Sequence, residues 1–468
     1  MTTLLVPPML VSAAPSWFDP FGSDPAVAPT PGVPWKPQEP LPKVPEPEVV
    51  ESLDNTRQWT LPELTELALR NNPRTREAWL AARAAAAGVG VEEAAWLPEI
   101  SAQYSRIQSE QVSSSGTAAP RQTRYGPTVS LSYLLFDFGS RGNRIEAAEY
   151  ARLAANLTHN RVLQDVALEV EQAYYLLLGF DALVKANELS LRNIRTALEA
   201  AQKRRESGLA TVADVYRAET QVAQAQLNLT QSQGELAKAK GRLAAAVGMP
   251  VGSALPVDTE FAPPLIQELT VSITDVLDRA KANRPDLIAA EAEARAARSS
   301  ADATARSTWP WIDLTANTSS TSFTGDRPTV DGYSLSLILR VPLFSGFRDT
   351  YATRQARDQA EEAEAARDTV SRQTELEVWQ AYYDVQTAAS GITSAEAQLK
   401  SAEQTAQATL ARYREGYGSI LDLITAQQDE ADARVQRIRS YFDWFTALAR
   451  FDYAVGVNDV VPSLAGTP

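Results

Sequence analysis

The sequence predicts an internally duplicated α+β protein: two units of about 200 residues, each with one hairpin of two-faced strands followed by two long helices. Three observations predict it. The chain repeats its own landmarks at a constant spacing. Ser/Thr-rich segments alternate apolar and polar residues with period two. Each such pair of segments is then followed by more than sixty residues without a proline.

Asn72-Pro73 returns as Arg284-Pro285 and Pro98 as Pro310, both 212 positions later (285 − 73; 310 − 98). Beyond the hairpins the spacing is 208 (343 − 135): Leu135-Phe136 returns as Leu343-Phe344, Ala173-Tyr174-Tyr175 as Ala381-Tyr382-Tyr383, Gly208 as Gly416 and Asp214 as Asp422. Ala246-Val247-Gly248 returns as Ala454-Val455-Gly456 at the same spacing. A register held over so long a stretch, with one four-residue slip, marks a duplication. The units are read as residues 58–257 and 258–457, preceded by an apolar start (1–14) and a Pro-rich segment (15–57) and followed by a short tail (458–468).

Each unit opens with a short helix, in which Leu61, Leu64, Leu67 and Ala68 share one stripe and Asn71-Asn72-Pro73 stops the turn. An Ala-rich helix runs on to Trp96, where Pro98 ends it. In the first hairpin Ile100, Ala102 and Tyr104 alternate with Ser101, Gln103 and Ser105, and Val129, Leu131, Tyr133 and Leu135 share a face on the return. In the second, Ile312, Leu314 and Ala316 alternate with Asp313, Thr315 and Asn317, and Tyr333, Leu335, Leu337 and Leu339 return. The turns are rich in Ser and Gly (Ser113 to Gly116; Thr324-Gly325-Asp326). Strands of this kind suit lipid on one side and water on the other; alone, they would equally suit a half-buried sheet in a soluble domain.

The Pro-free stretches, Ser140 to about Glu206 and Arg348 to about Arg414, would span about 100 Å as helix. Each meets a glycine turn (Gly208; Gly416 to Gly418) and a return helix to Val247 or Val455. Val166, Val170, Ala173 and Leu177 form a coiled-coil seam, and Ala218, Ala223 and Ala225 allow close helix approach. Helices this long must pack on one another or on other copies of the chain. Four strands cannot close a barrel, so oligomerisation is the route that removes the sheet edges.

Composition excludes several classes. With no Cys and one His (His159), disulfides, thiolate chemistry and His-based zinc sites are not expected, nor is a Cys-linked N-terminal lipid. A net charge of −14 argues against nucleic-acid binding. No apolar run approaches the roughly 18–20 residues of a membrane-spanning helix, whereas barrel strands escape that test. No phosphate loop, dinucleotide fingerprint, nucleophile elbow or metal-ligand cluster is present, so neither an enzyme nor a cofactor is expected. Leu4 to Val11 followed by Ser12, Ala13 and Ala14 has the form of the end of a secretory signal; the absence of Lys or Arg in the first ten residues and the interrupting prolines argue against it. Eleven prolines between Pro15 and Pro47 make that stretch an extended strap or an unstructured linker.

From residue 58 to 457 the chain resembles the TolC-like outer membrane efflux proteins. The resemblance rests on the two Asn/Arg-Pro helix starts, the two Trp-Pro junctions, and the corners Leu135-Phe136-Asp137-Phe138-Gly139 and Leu343-Phe344-Ser345-Gly346-Phe347. It rests also on the tips RRESGLATVAD (Arg204 to Asp214) and RYREGYGSILD (Arg412 to Asp422). It implies a homotrimer in outer membrane lipid, four strands per chain in a shared β-barrel continuous with a periplasmic helical barrel. It implies passive export, with a periplasmic adaptor (membrane fusion protein) and an inner membrane transporter as partners.

The resemblance makes the helix tips the periplasmic mouth, with Gly208, Leu209, Ala210, Asp214, Gly416, Tyr417 and Gly418 as adaptor contacts; a tight turn would need the glycines in any case. It places gating acids near Asp422, which trimer symmetry would make a ring of three carboxylates. Asp429, seven residues on, would add a second ring, and Tyr413 matches the family's tyrosine before the tip. A carboxylate at a helix N-terminus is also favoured by the dipole alone. Where some members carry an arginine after the tip glycine this chain has Gly418, leaving Arg412 or Arg414 to substitute. Tyr174-Tyr175 and Tyr382-Tyr383 read as helix packing, and Arg340 as pointing into the lumen. The rival reading is a periplasmic adaptor or coiled-coil scaffold without a channel, against which the duplicated hairpins stand.

Overall fold

The computed structural model describes residues 57–110, 121–253, 255–259, 271–325 and 327–456, all within the unit Leu53–Pro468. The apolar start, the Pro-rich segment up to residue 56, Ser113 to Gly116, Asp326 and the tail lie outside the described residues.

Helix α1 (Leu61–Asn71) begins with a reciprocal cap in which the Thr60 backbone N–H donates to Glu63 Oε2 at 2.9 Å. Asn72 ends it and caps α2 (Pro73–Glu93), its Oδ1 accepting from the Arg74 N–H at 3.0 Å. Strands β1 (Glu99–Ser109) and β2 (Gln122–Phe136) follow, then α3 (Ser140–Glu206) and α4 (Val212–Ala246). The second half repeats the order as α5 (Ile273–Asn283), α6 (Pro285–Arg306), β3 (Trp311–Phe323), β4 (Val330–Arg340), α7 (Arg348–Arg414) and α8 (Ile420–Val455). Helices α3 and α7 have the same length, 67 residues. The hairpins obey the sequence offsets: Ile100 pairs with Leu131 and Ile312 with Leu339, shifts of 212 (312 − 100) and 208 (339 − 131).

The four strands form one antiparallel sheet in the order β1-β2-β3-β4, leaving β1 and β4 as edges. The strand at Gly126 needs its glycine, since a Cβ there would lie 1.8 Å from the Ser320 carbonyl oxygen of β3. One detail departs from the simple alternation. The register shifts between Leu134 and Phe136, so Phe136 rather than Leu135 stands opposite Ile312.

The coiled-coil seam on α3 is buried as its spacing predicts, with Val166 and Val170 fully enclosed in a core with Leu64 of α1, Leu243 of α4 and Val247, which ends α4. On α4, Ala218 and Ala225 are buried while Ala223 faces out. Tyr382 is buried and donates its hydroxyl to the Val271 carbonyl at 3.1 Å. Tyr175 stacks on Phe445 with centroids 4.8 Å apart. Both are packing roles; Tyr383 is exposed beside Trp379. No described helix is long and apolar enough to cross a membrane.

Two buried arginines organise the joints. Arg141, at the start of α3, donates to the carbonyls of Ala95 (2.8 Å) and Leu134 (2.7 Å) and lies over the Trp96 ring at 4.0 Å. That pins the strand-to-helix corner. Arg284, the cap of α6, pairs with Asp286 and with Glu377 of α7 at 2.7 Å. A chain of alternating charges continues from it: Asp286 to Arg161 at 3.7 Å, Arg161 to Asp165 at 3.7 Å, Asp165 to Arg74 at 3.8 Å and Arg74 to Glu169 at 2.8 Å. The Tyr453 hydroxyl of α8 donates to Asp165 at 2.7 Å, and Arg161 lies over its ring at 3.7 Å. Side chains of α2, α3, α6, α7 and α8 are thereby tied at one level.

Helices α3 and α8 run antiparallel along this seam and carry like charges on its two sides, Glu171 and Asp452. Burial first, and Asp452 second, hold the Glu171 carboxyl up to about 7. The native state therefore binds the proton more tightly than the unfolded chain, and stability falls as pH rises from the ordinary glutamate range through about 7. Thermal unfolding should find Glu171→Gln equal to wild type near about pH 5 and more stable than wild type near about pH 8.

Candidate functional site

The sheet has two faces of opposite chemistry. Across all four strands Ile100, Leu131, Ala316 and Leu335 line up, and beside them Ala102, Val129, Thr318 and Tyr333. Tyr133, Leu314 and Leu337 continue the same face, then Phe136, Ile312 and Leu339. The opposite face carries Glu99, Ser132, Thr315 and Ser336, then Ser101, Ser130, Asn317 and Ser334, then Gln103, Thr128, Ser319 and Gly332. The apolar face is most open on the edge strand β4, where Tyr333 is 91% exposed and Leu335, Leu337 and Leu339 each above 60%, while Leu131, Tyr133, Ile312 and Leu314 on the central strands are half-buried. From Tyr333 to Leu339 it runs about 20 Å along the strand, a large part of a bilayer's hydrocarbon depth.

At the helix end of the sheet an exposed aromatic cluster gathers. Phe136 meets Phe138 edge-on at 4.7 Å, Phe138 meets Trp309 at 5.7 Å, and Phe344 meets Phe347 at 5.4 Å. Rings with one apolar and one wet side suit a membrane–water boundary. On the polar face Arg340 pairs with Asp313 at 3.4 Å, and Asp313 also accepts from Trp311 Nε1 at 3.0 Å. Arg340 thus lies on the side that its alternation assigned to it.

The other end of the long helices holds the candidate tip residues. Gly208 and Gly416 adopt φ of +72° and +87°, the left-handed turn that ends α3 and α7. Leu209 donates its N–H back to Arg204 at 2.8 Å and Tyr417 to Arg412 at 2.9 Å, closing the helix ends. Leu209 and Tyr417 are strongly exposed. Asp214 and Asp422 stand at matching places in α4 and α8, each in a reciprocal cap. The Thr211 N–H donates to Asp214 at 2.9 Å and its hydroxyl at 2.8 Å; the Ser419 N–H donates to Asp422 at 3.3 Å, and the Asp422 N–H returns to Ser419 Oγ at 3.1 Å. The bond from the Thr211 backbone, then its hydroxyl, hold the Asp214 carboxyl below the usual range. Asp422 and Asp429 share one exposed face of α8.

Tyr413 is not on that face. It is 2% exposed, in a core with Ala197, Ala201, Val215, Ala218, Ile420 and Leu423 that joins the two helical hairpins. Arg204 covers it, with its guanidinium 4.8 Å from the ring centroid, and donates both to the Tyr413 carbonyl and to the Leu209 carbonyl (3.5 Å). Burial pushes the Tyr413 hydroxyl up. Arg204 is therefore the arginine that bridges the tips. Neither Arg412 nor Arg414 forms an ion pair among the described residues. The tip motif contains Arg204, but its role depends on a contact 209 positions away and has no local signal.

An antiparallel sheet with one lipid-compatible and one hydrated face, continuous with 67-residue helices, defines an outer-membrane channel with an attached helical tunnel. The chain belongs to the outer membrane efflux protein family, whose model matches residues 64–249 and 276–457, once in each half. It is 28% identical over 384 residues to protein CyaE of Bordetella pertussis, covering 80% of this chain and 79% of that protein. It is 27% identical over 405 residues to the alkaline protease secretion protein AprF of Pseudomonas aeruginosa, covering 84% and 83%. The fold matches the outer membrane protein VceC of Vibrio cholerae with a TM-score of 0.74 at 22% identity, over 85% of this chain and 96% of that one. The protein is an outer-membrane transport channel.

The two faces can be told apart by charge. Leu337→Arg should cost about 2–4 kcal/mol if it lies near the bilayer midplane, read as loss of heat-resistant, membrane-inserted protein, whereas Ser336→Arg on the neighbouring residue should insert normally.

Proposed function

We propose that three copies of the chain assemble, each giving four strands to a twelve-stranded outer-membrane barrel (3 × 4) and its long helices to a tunnel across the periplasm. The assembly is the passive conduit of a tripartite efflux or type I secretion system. It docks to a periplasmic adaptor, draws its energy from an inner membrane transporter and catalyses no reaction of its own. The observation that carries this reading is the two-faced sheet with both edges unpaired, since unpaired backbone groups cannot stay open to hydrocarbon. The family's description supports the efflux branch, and the likeness to a protein named for protease secretion supports the other.

The exposed turns Gly208-Leu209-Ala210 and Gly416-Tyr417-Gly418 are the adaptor contacts, with Asp214 shaping the first of them through its cap. Asp422 and Asp429, on one open face of α8, give two rings of three carboxylates at the mouth. Tyr413 acts from beneath, as the packed post on which the second tip rests. The two repeat units, 58–257 and 258–457, supply the two halves of each copy's wall.

Single-channel conductance in a planar bilayer tests the conduit and its gate together. Wild type should show small cation-selective openings. Asp429→Asn and Asp422→Asn should lower cation selectivity, because each removes three charges while Asn keeps an acceptor for the Ser419 cap. Asp422→Ala should in addition widen the openings, since it removes the carboxylate half of the reciprocal cap, the acceptor for the Ser419 N–H at the tip. Folded trimers that pass no current would overturn the conduit, and unchanged selectivity in both Asn variants would remove the carboxylate gate.

A further inference from the structure

The apolar face of the sheet ends in the same way on three strands. Moving away from the helices, β1 reads Ile100, Ala102, Tyr104 and then Arg106. Strand β2 reads Leu131, Val129, Pro127, Tyr125 and then Thr123, and β4 reads Leu337, Leu335, Tyr333 and then Asp331. On β3 the change comes without a tyrosine, as Ala316 gives way to Thr318, Ser320 and Ser322. Tyr104 and Tyr333 are both strongly exposed. From Phe136 to Tyr125 the strand takes about ten steps after its register shift, which at a tilt of about 40° is a rise of about 25 Å. That matches the height of a barrel's apolar band. The Phe136, Phe138 and Trp309 cluster marks its inner rim and the tyrosines its outer one.

Arg106 stands at that outer rim. It is exposed and lies opposite Tyr125, which in turn lies opposite Ser322. Arg106 and Asp331 are the two charged residues on this face of the described strands. They sit on the two edges of the sheet, at least about 14 Å apart. Arg106 has no hydrogen bond or ion pair among the described residues. Glu110, four residues further along, is occupied by Arg121 at 2.9 Å. The same face offers neutral polar groups beside Arg106: Gln108 opposite Thr123, and Ser322, whose hydroxyl meets that of Thr329 at 2.9 Å. A long cationic side chain at a lipid boundary reaches toward the headgroups, and a guanidinium meets phosphate through two parallel bonds.

The helices leave the sheet at its other end, on the periplasmic side, so this rim faces the outer leaflet. Resting on that placement, we infer that Arg106 holds the phosphate of a phosphorylated glycolipid of the outer leaflet, whose sugar hydroxyls meet Gln108, Thr123 and Ser322. The amide and hydroxyls select a glycolipid, because a headgroup without sugars would leave them to water. The repeat equivalent of Arg106, 212 positions on (318 − 106), is the uncharged Thr318. Each chain therefore carries this site once, on its first strand, and the second half of the sheet lacks it.

Full-length protein in detergent, mixed with bisphosphorylated lipid A, tests the site by native mass spectrometry of the bound lipid. Wild type should retain lipid A, and Arg106→Gln should weaken retention at least about tenfold, as expected for a lost hydrogen bond between charged groups. Arg106→Lys should keep part of it. Arg124→Gln removes the same charge from the polar face, opposite Ile107, and should bind as wild type does. Wild type should also bind dephosphorylated lipid A at least about tenfold more weakly, a comparison that needs no variant. Equal binding of the two lipids, or equal retention by wild type and a membrane-inserted Arg106→Gln, would overturn the inference and leave the channel standing. Displacement of lipid A by an equal concentration of inorganic phosphate would make this a site for soluble anions, and so would overturn the lipid. Wild-type protein that enters no membrane would overturn the placement of the sheet as well.

Discussion

Every backbone N–H and C=O that enters hydrocarbon must find its partner inside the protein, because no water is there to supply one. Most of this chain's architecture follows from that constraint. Four strands satisfy one another internally but leave β1 and β4 with open edges. In the proposed assembly each edge is closed by another copy, and the apolar face that looks like a defect in a single chain becomes the lipid-facing wall. The same residues could not serve a soluble sheet, where so continuous an exposed apolar surface would drive aggregation.

The duplication brings the two halves of one chain together along a seam, β2 on β3 and α3 on α6. The two halves differ where the chain needs them to differ. Arg284 occupies the place of Asn72, and with Asp286 and Arg161 it carries the charge chain across the inter-repeat seam. Buried Arg141 pins the first corner, while its equivalent, Asp349, is held by Ser345 and Arg348 in a corner that stays open. Tight joints thus gather at the inner seam, and the second corner keeps its aromatic surface exposed.

At the other end of the helices a few residues carry two demands at once. Asp214 and Asp422 cap the return helices and, in the proposed assembly, also present charge at the mouth, so neither can be altered without touching both. Arg204 holds the first tip to the second through the Tyr413 carbonyl and ring. The tips of one chain are therefore a single packed unit, and a conformational change there moves the pair together or breaks that contact.

The strands, the long helices and their glycine turns were all legible in the sequence, because alternation, the absence of proline and left-handed turns are local properties of neighbouring residues. So was the correspondence of the two hairpins, shown by the repeat spacing, whereas their pairing through β2 and β3 came from the structure. The sequence also showed which face of each strand is apolar, apart from the shift that seats Phe136 where Leu135 was expected. The tertiary structure alone decided that Tyr413 lies in the tip core rather than on the open face with Asp422, that Arg204 rather than Arg412 or Arg414 bridges the tips, and that Arg161 and Arg284 belong to one charge chain. Each of these depends on side chains from helices distant in sequence meeting at one level, and that level is set by how the α3 and α8 surfaces interlock, a property no local pattern encodes.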